Sequence, residues 1–249
     1  MEKLETETGL TARIEPFDSF WEAPENVEKG FDSFGKFYRN NYLKRLPVNR
    51  GARILVISCG YGYFVHLLKT VGYTAVSGID SDPEKVRVAT EKGLNCTVEN
   101  AFAFLGNPRG YYDVIIAEQE INHLTKEEII LFLNLCRKSL VNGGTLLIHS
   151  LNGANPITGS EALAQNFDHY NTFTEYSLRQ VLEHTGFGEV NVFPLNLYVF
   201  YNNPLNYVAL LADRINTVVF RINFILYGKH NRIFTKKIAA LCKKKDAAL

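Results

Sequence analysis

The chain has few cysteines, and no two of them are close in sequence. Cys59, Cys96, Cys136 and Cys242 are the four in 249 residues, and none belongs to a Cys-x-x-Cys pair. This spacing argues against a zinc cage and against a secreted scaffold held by disulfides, so we expect reduced thiols, no bound metal and a cytoplasmic protein. The first residues, MEKLETETGL, are acidic and polar, unlike a signal peptide.

The sequence also lacks an excess of charge of either sign and lacks a long apolar run. Its 27 Lys and Arg residues nearly balance 26 Asp and Glu residues. The overall charge therefore gives no reason to expect nucleic acid as a partner. No uninterrupted apolar run reaches the roughly 18 residues that a membrane-spanning helix requires.

What the sequence does have is a regular alternation of strand and helix patterns from Arg53 onward. Strands are predicted at 54–58, 74–79, 96–98, 112–117, 145–150, 188–194 and 197–201, and helices at 62–71, 83–92, 101–105, 126–140 and 176–184. This order predicts an α/β fold with a doubly wound, mostly parallel, seven-stranded Rossmann-like sheet. We expect a core over residues 51–203, an N-terminal arm and helical cap over 1–50, and a C-terminal helical, basic appendage over 204–249.

The segment ILVISCGYGYFVHLL, residues 54–68, carries the strongest functional signal. An apolar strand ends in the turn Gly60-Tyr61-Gly62, a helix follows at once, and the next strand ends at Asp80. A glycine turn lets a ligand approach the backbone, the helix start offers free N–H groups, and a carboxylate accepts ribose hydroxyls. Dinucleotide sites usually have a third glycine where this chain has Val65, so the pattern favours another nucleoside cofactor.

Four segments in order resemble class I S-adenosylmethionine-dependent methyltransferases: ILVISCGYGYF, GIDSDPEKV, YDVII followed by NHLTKEE, and LVNGGTLLI. The resemblance covers about residues 50–190 and implies S-adenosylmethionine as cofactor and S-adenosylhomocysteine as product. FYRNNYLKRLP and HYNTFTEYSLRQVLEHTGF, on either side, are similar to small-molecule methyltransferases of bacterial surface-polysaccharide and natural-product pathways. A basic core face and an Asn/Asp-Pro-Pro-aromatic motif, typical of nucleic-acid methylation, are lacking.

The resemblance assigns cofactor-binding roles to matching positions. These positions are Cys59, Gly60 and Gly62 at the methionine part, Asp80 and Ser81 at the ribose and adenosine, Asn100 and Ala101 at the adenine, and Glu118 near the sulfonium. We expect the Asn100 side chain to accept a hydrogen bond from the adenine amine, as the aspartate common at this position does.

Besides Asn100, two positions depart from the family pattern. Val56 stands where an acid is usual and Ser58 where a glycine is usual. Support for the cofactor's amino group would then come from Glu118 or from Tyr38 in the N-terminal helix. The same departures leave open a cofactor-binding regulator without transfer activity.

Methyl transfer to a hydroxyl requires a base near the cofactor, and histidines follow two predicted strands. His123 follows 112–117, and His169 lies in a loop that we expect to cap the site, so both are candidate catalytic bases. His149, Asn152, Tyr170 and Tyr38 are candidate substrate contacts. The acceptor is expected to be a small-molecule or saccharide hydroxyl in bacterial surface-glycan synthesis. N-methylation of an amino sugar, which needs less help from a base, is the alternative.

Residues 205–228 are apolar with few charges, and lysines and arginines follow up to residue 245. One interpretation is an amphipathic helix resting on a membrane, with lysines on anionic lipid. That would place the protein at the inner face of the membrane. The other interpretation is a helix packed on its own domain or in a homodimer interface.

Overall fold

The computed structural model describes residues 27–108, 110–117, 120–165, 169–196 and 204–245. The strands are β1 (Arg53–Ile57), β2 (Ala75–Asp80), β3 (Cys96–Val98), β4 (Tyr112–Ala117), β5 (Leu140–Leu151), β6 (Phe187–Pro194) and β7 (Lys237–Lys244). They form one sheet in the order β3-β2-β1-β4-β5-β7-β6. The first five pair in parallel, whereas β7 runs antiparallel to both β5 and β6.

Helices connect the strands and cover both faces of the sheet. They are α1 (Val27–Asn41), α2 (Tyr63–Thr70), α3 (Pro83–Glu91), α4 (Ala101–Gly106), α5 (Lys126–Ser139), α6 (Glu161–Gln165), α7 (Glu175–His184) and α8 (Leu205–Leu226). Short 3₁₀ helices span Leu43–Arg45 and Glu120–His123. This architecture confirms the predicted doubly wound, mostly parallel sheet.

The strand order places the end of β1 beside the end of β4 at the centre of the sheet. From β1 the chain goes to β2 and β3 on one side of the sheet, and β4 and β5 lie on the other side of β1. The connections therefore change direction between β1 and β4, and a crevice opens there at the carboxyl ends of the strands. Residues 54–57 of β1 are buried on both faces, as expected for a central parallel strand. One apolar core lies on each side of the sheet.

The last strand differs from the sequence prediction. The sequence predicts a strand at 197–201, which lies outside the described residues, and places residues 237–244 in the basic tail. Instead β7 lies between β5 and β6, with Ile238, Ala239 and Ala240 fully buried. Its apolar centre is only five residues long and is flanked by lysines, so the composition hides the strand. Of the described part of the predicted appendage, α8 and residues 227–236 lie outside the sheet.

The N-terminal helix α1 covers α2, as predicted for a helical cap. Phe34 stacks on Tyr63 with ring centroids 4.8 Å apart, and Phe31 meets the same ring edge-on. Gly30 permits this approach, because a Cβ there would lie 2.5 Å from the Tyr63 ring. Over the part of the chain that the structure describes, no helix is long and apolar enough to cross a membrane.

Candidate active site

The turn after β1 is built from three residues in the left-handed backbone region. Ser58, Gly60 and Gly62 have φ angles of 55°, 53° and 81°. Glycine adopts this conformation without steric cost, whereas a serine is strained by about 1–2 kcal/mol. The backbone at Ser58 thus has the left-handed conformation that glycine adopts most readily, at the position where the sequence comparison expects a glycine.

The two glycines serve different purposes in this turn. A Cβ on Gly62 would lie 2.5 Å from Leu94 Cδ1 and 3.1 Å from Ala89 Cβ, so Gly62 permits close packing against α3. A Cβ on Gly60 would meet no atom within 4 Å. The face above Gly60 is therefore open to a ligand, and the start of α2, which has no side-chain cap, adjoins it.

Asp80, at the end of β2, holds this turn in place. Its Oδ2 accepts a hydrogen bond of 2.8 Å from the Gly60 N–H, and its Oδ1 accepts one of 2.9 Å from the Asp82 N–H. Each carboxylate oxygen has a further lone pair for a ribose hydroxyl. The Ser81 side chain is exposed beside it. The turn and the carboxylate thus fit the nucleoside cofactor that the sequence predicts.

Cys59 lies beneath the turn with its side chain directed into the core. Its N–H donates to the Ile79 carbonyl, and its thiol contacts that of Cys96 beside Gly78. A hydrogen bond with Cys96, together with burial, raises the pKa of the Cys59 thiol. The thiol is therefore protonated, and Cys59 contributes backbone rather than side chain to the turn.

The structure corrects the expected role of Asn100. Its Oδ1 accepts hydrogen bonds from the Phe102 and Ala103 N–H groups, at 3.0 and 3.2 Å, and caps α4. Both lone pairs of that oxygen are occupied, so the exposed group is the Nδ2 donor and not an acceptor for an adenine amine. Ala101 begins α4, half-buried beside it. Glu118 lies outside the described residues.

His123 and His169 come together where β4 and β5 end. Their ring centroids are 4.7 Å apart and the planes are inclined by 64°. His169 Nδ1 lies 2.7 Å from the Ala162 carbonyl of α6. A carbonyl only accepts, so Nδ1 carries a proton and donates it to this bond. Among the described residues, no cluster of three or more His, Cys, Asp or Glu side chains could hold a metal ion.

Asn122 positions both histidines, and the sequence analysis missed it. This fully buried residue follows β4; its Oδ1 accepts from the Leu151 N–H and its Nδ2 donates to the Asn171 carbonyl at 2.6 Å. Its own carbonyl accepts from the Tyr170 N–H. The strand ends and the His169 loop are thereby joined through one side chain. An asparagine just after a buried strand was the available signal.

Three predicted substrate contacts are corrected by their burial. Tyr38 is 5% exposed and stacks on Phe64, with ring centroids 4.2 Å apart. Asn152 is 1% exposed; its Nδ2 donates to the carbonyls of Ile233 and Thr235, and its Oδ1 accepts from Ala154. These polar groups support the fold instead of facing a ligand.

His149 is the third predicted substrate contact that proves to be buried, with 3% of its surface exposed. Its Nδ1 lies 2.7 Å from the Tyr42 hydroxyl, which ties β5 to the end of the N-terminal cap. Burial, with a smaller contribution from the positive charge of Lys237, lowers the pKa of His149 well below its usual value. Tyr170, by contrast, is exposed next to His169, and its substrate role stays a prediction.

Comparisons with known proteins agree with this geometry. The family described as "Methyltransferase domain" matches residues 32–191. A S-adenosylmethionine-dependent methyltransferase from Archaeoglobus fulgidus is similar in structure, with a TM-score of 0.65 and 20% identity, over 90% of this chain and 99% of that one. The comparison with curated proteins found no match.

Two further solved structures are complexes with S-adenosylmethionine. Phosphoethanolamine N-methyltransferase 2 from Haemonchus contortus is 16% identical, with a TM-score of 0.56 over 92% of this chain and 60% of that one. Human N-acetylserotonin methyltransferase is 12% identical, with a TM-score of 0.59 over 93% of this chain and 59% of that one. The family match extends from the N-terminal cap through the glycine turn and the histidine pair to β6, and the chain therefore belongs to the methyltransferase domain family of S-adenosylmethionine-dependent enzymes.

Proposed function

We propose that this methyltransferase transfers a methyl group to a hydroxyl of a small molecule or saccharide. The observation that carries the proposal is the His123–His169 pair at the edge of the sheet that also holds the Gly60 turn. When bound, S-adenosylmethionine supplies an electrophilic methyl group on its sulfonium, and the protein must orient the acceptor and take its proton.

His169 is the proposed base. Its Nδ1–H donates to the Ala162 carbonyl, which holds the ring in place, and the proposed step has Nε2 of the neutral ring take the hydroxyl proton. The His123 ring packs against the His169 ring in a T-shaped contact and limits its rotation. We propose that His123 positions His169, while a direct base role for His123 is the alternative that the variants below separate.

A groove at the carboxyl end of β5 supports a saccharide-like acceptor. It encloses about 740 Å³ between α8 and the loop after β5. Its lining includes the rings of Phe220, Phe224 and Tyr227 and the amides of Asn223 and Asn231. Aromatic faces offer apolar contact to a sugar ring, and amides both donate to and accept from hydroxyls. A role in bacterial surface-glycan synthesis is part of this proposal.

The base assignment is tested with His169→Asn. The asparagine amide reproduces the Nδ1–H donor to Ala162 but has no group at Nε2, so the loop should keep its position. We expect kcat to fall by about 10²–10⁴-fold, with S-adenosylhomocysteine affinity within twofold of wild type. His123→Asn should retain more activity than His169→Asn. Full turnover in His169→Asn would contradict the assignment, and the reverse order would make His123 the base.

The acceptor atom is tested with a matched pair of probes, methyl glucoside and the corresponding 2-amino-2-deoxy glucoside, incubated with S-adenosylmethionine. Mass spectrometry then reports the added methyl group. The proposal expects methylation of the hydroxyl-only sugar. Methylation confined to the amino sugar, at its nitrogen, would overturn hydroxyl transfer in favour of N-methylation.

A further inference from the structure

Helix α8 exposes a continuous row of large aliphatic side chains along its outer face. They recur every three or four residues and are between 46% and 77% exposed: Val208, Leu211, Ile215, Val218, Val219, Ile222, Ile225 and Leu226. The helix has 22 residues, so the row is about 30 Å long. Contiguous apolar surface of this extent marks a contact with a membrane or a protein.

The inner face of α8 is the one that meets the rest of the molecule. Phe220 and Phe224 contact Phe234, with ring centroids 6.2 and 4.7 Å apart. Asp213 and Thr217 lie half-buried on the same side, and burial raises the pKa of Asp213. The helix is thus already anchored through its mixed face, and its more apolar face is turned outward.

Basic side chains border the outer face. Arg214 and Arg221, two turns apart, are exposed along one side of the aliphatic row, and Lys229, Arg232 and Lys236 are exposed in the segment that follows. The one acidic residue of α8, Asp213, lies on the inner face. An apolar stripe bordered by cations is the pattern of a helix that lies in the plane of an anionic membrane surface.

Charge disfavours a second copy of the chain as the occupant. In a two-fold antiparallel pairing centred on the aliphatic row, at residues 217–218, Arg214 of one copy would approach Arg221 of the other, because both are equally far from that centre. Among the described side chains of the helix, no carboxylate on the outer face is available to neutralise them. Lipid phosphates supply that counter-charge, whereas a helix pair brings like charges together.

We propose that the outer face of α8 docks on the surface of a bilayer that contains anionic phospholipid. The inner side of the same helix forms one wall of the 740 Å³ groove. Docking therefore places the groove one helix diameter, roughly 10 Å, from the surface of the bilayer. This inference rests on the surface of α8 and not on the identity of the base or of the methylated atom.

The test is cosedimentation of the full chain with phosphatidylcholine vesicles, with and without phosphatidylglycerol. We expect strong binding only with phosphatidylglycerol, and release at high salt. Arg214→Gln combined with Arg221→Gln should lower the partition coefficient by about 30-fold, as two cations near an anionic surface predict. Ile215→Asn combined with Ile222→Asn should lower it at least tenfold.

The matched control is Val48→Asn, because the Val48 side chain is 92% exposed. Val48 precedes β1 and therefore lies at the edge of the sheet opposite the loop after β5. The control variant should bind like wild type. Equal binding to both kinds of vesicle, or unchanged binding of the α8 variants, would overturn the proposal. A lipid-free dimer in analytical ultracentrifugation that Ile215→Asn with Ile222→Asn dissociates would also overturn it, in favour of a second copy.

Discussion

The buried His149 predicts a specific loss of stability in mild acid. Its imidazole is 3% exposed and hydrogen-bonded to Tyr42, and burial holds its pKa well below the usual value. The unfolded chain therefore binds a proton at His149 near pH 6.5, while the folded protein does not. Stability from this residue is fully present above pH 6.5 and is lost as the pH falls below it.

The size of the effect follows from that difference in proton binding. One pH unit below 6.5, the unfolded state gains about 1.4 kcal/mol from protonating this histidine, and at pH 5.0 about 2 kcal/mol. His149→Asn removes the titration but keeps a polar group near the Tyr42 hydroxyl. The packing loss in the variant is the same at every pH, so it does not affect the comparison.

The assay is urea unfolding of wild type and His149→Asn at pH 7.5, 6.5, 5.5 and 5.0. The free-energy advantage of wild type should shrink by about 1.4 kcal/mol between pH 7.5 and 5.5. Other titrating groups affect both proteins alike and cancel in the difference. Parallel curves for the two proteins over this range would refute the reasoning, because His149 would then titrate equally in both states.

Two further predictions concern the glycine turn, both measured by urea unfolding. Ser58→Gly should be more stable than Ser58→Ala by about 1 kcal/mol, because only glycine relieves the strain at φ 55°; equal stability would show that the backbone there is relaxed. Gly62→Ala should lose about 2–4 kcal/mol, through its φ of 81° and the contact with Leu94, whereas Gly60→Ala should lose only about 1 kcal/mol. A Gly60 variant as unstable as the Gly62 variant would contradict the assigned packing.

Local patterns explain how much of the fold the sequence could predict. β1, the glycine turn and Asp80 follow one another within 30 residues. The strand is recognised by its apolar run, the turn by its glycines and Asp80 by its charge at a strand end. β7 has no comparable signal, because its short apolar centre is recognisable as a strand only once β5 and β6 are in place on either side. Lysines at both ends made it look like a solvated tail.

In the candidate site, too, the residues that could be predicted from the sequence have local contacts, whereas residues with distant contacts could not be predicted. The positions of Gly60 and Asp80 were predictable because their roles depend on neighbours in the same strand–turn–helix unit. Asn100 was misjudged because capping of α4 decides which end of its amide is exposed. His149 and Tyr42 meet across 107 positions of the chain, and Asn122 joins segments 28 to 49 residues away. Contacts of that range are set by packing and leave no periodic trace in the sequence.

The central claim is that the Gly60 turn and Asp80 form the cofactor site, and calorimetric titration with S-adenosylhomocysteine tests it most directly. Asp113→Ala is the matched control, since Asp113 also accepts a strand N–H, that of Arg53, at the opposite edge of the sheet. We expect Asp80→Ala to weaken binding at least 30-fold, because two charge-assisted hydrogen bonds are lost, and Asp113→Ala to bind like wild type. Wild-type affinity in Asp80→Ala would contradict the assignment of this site.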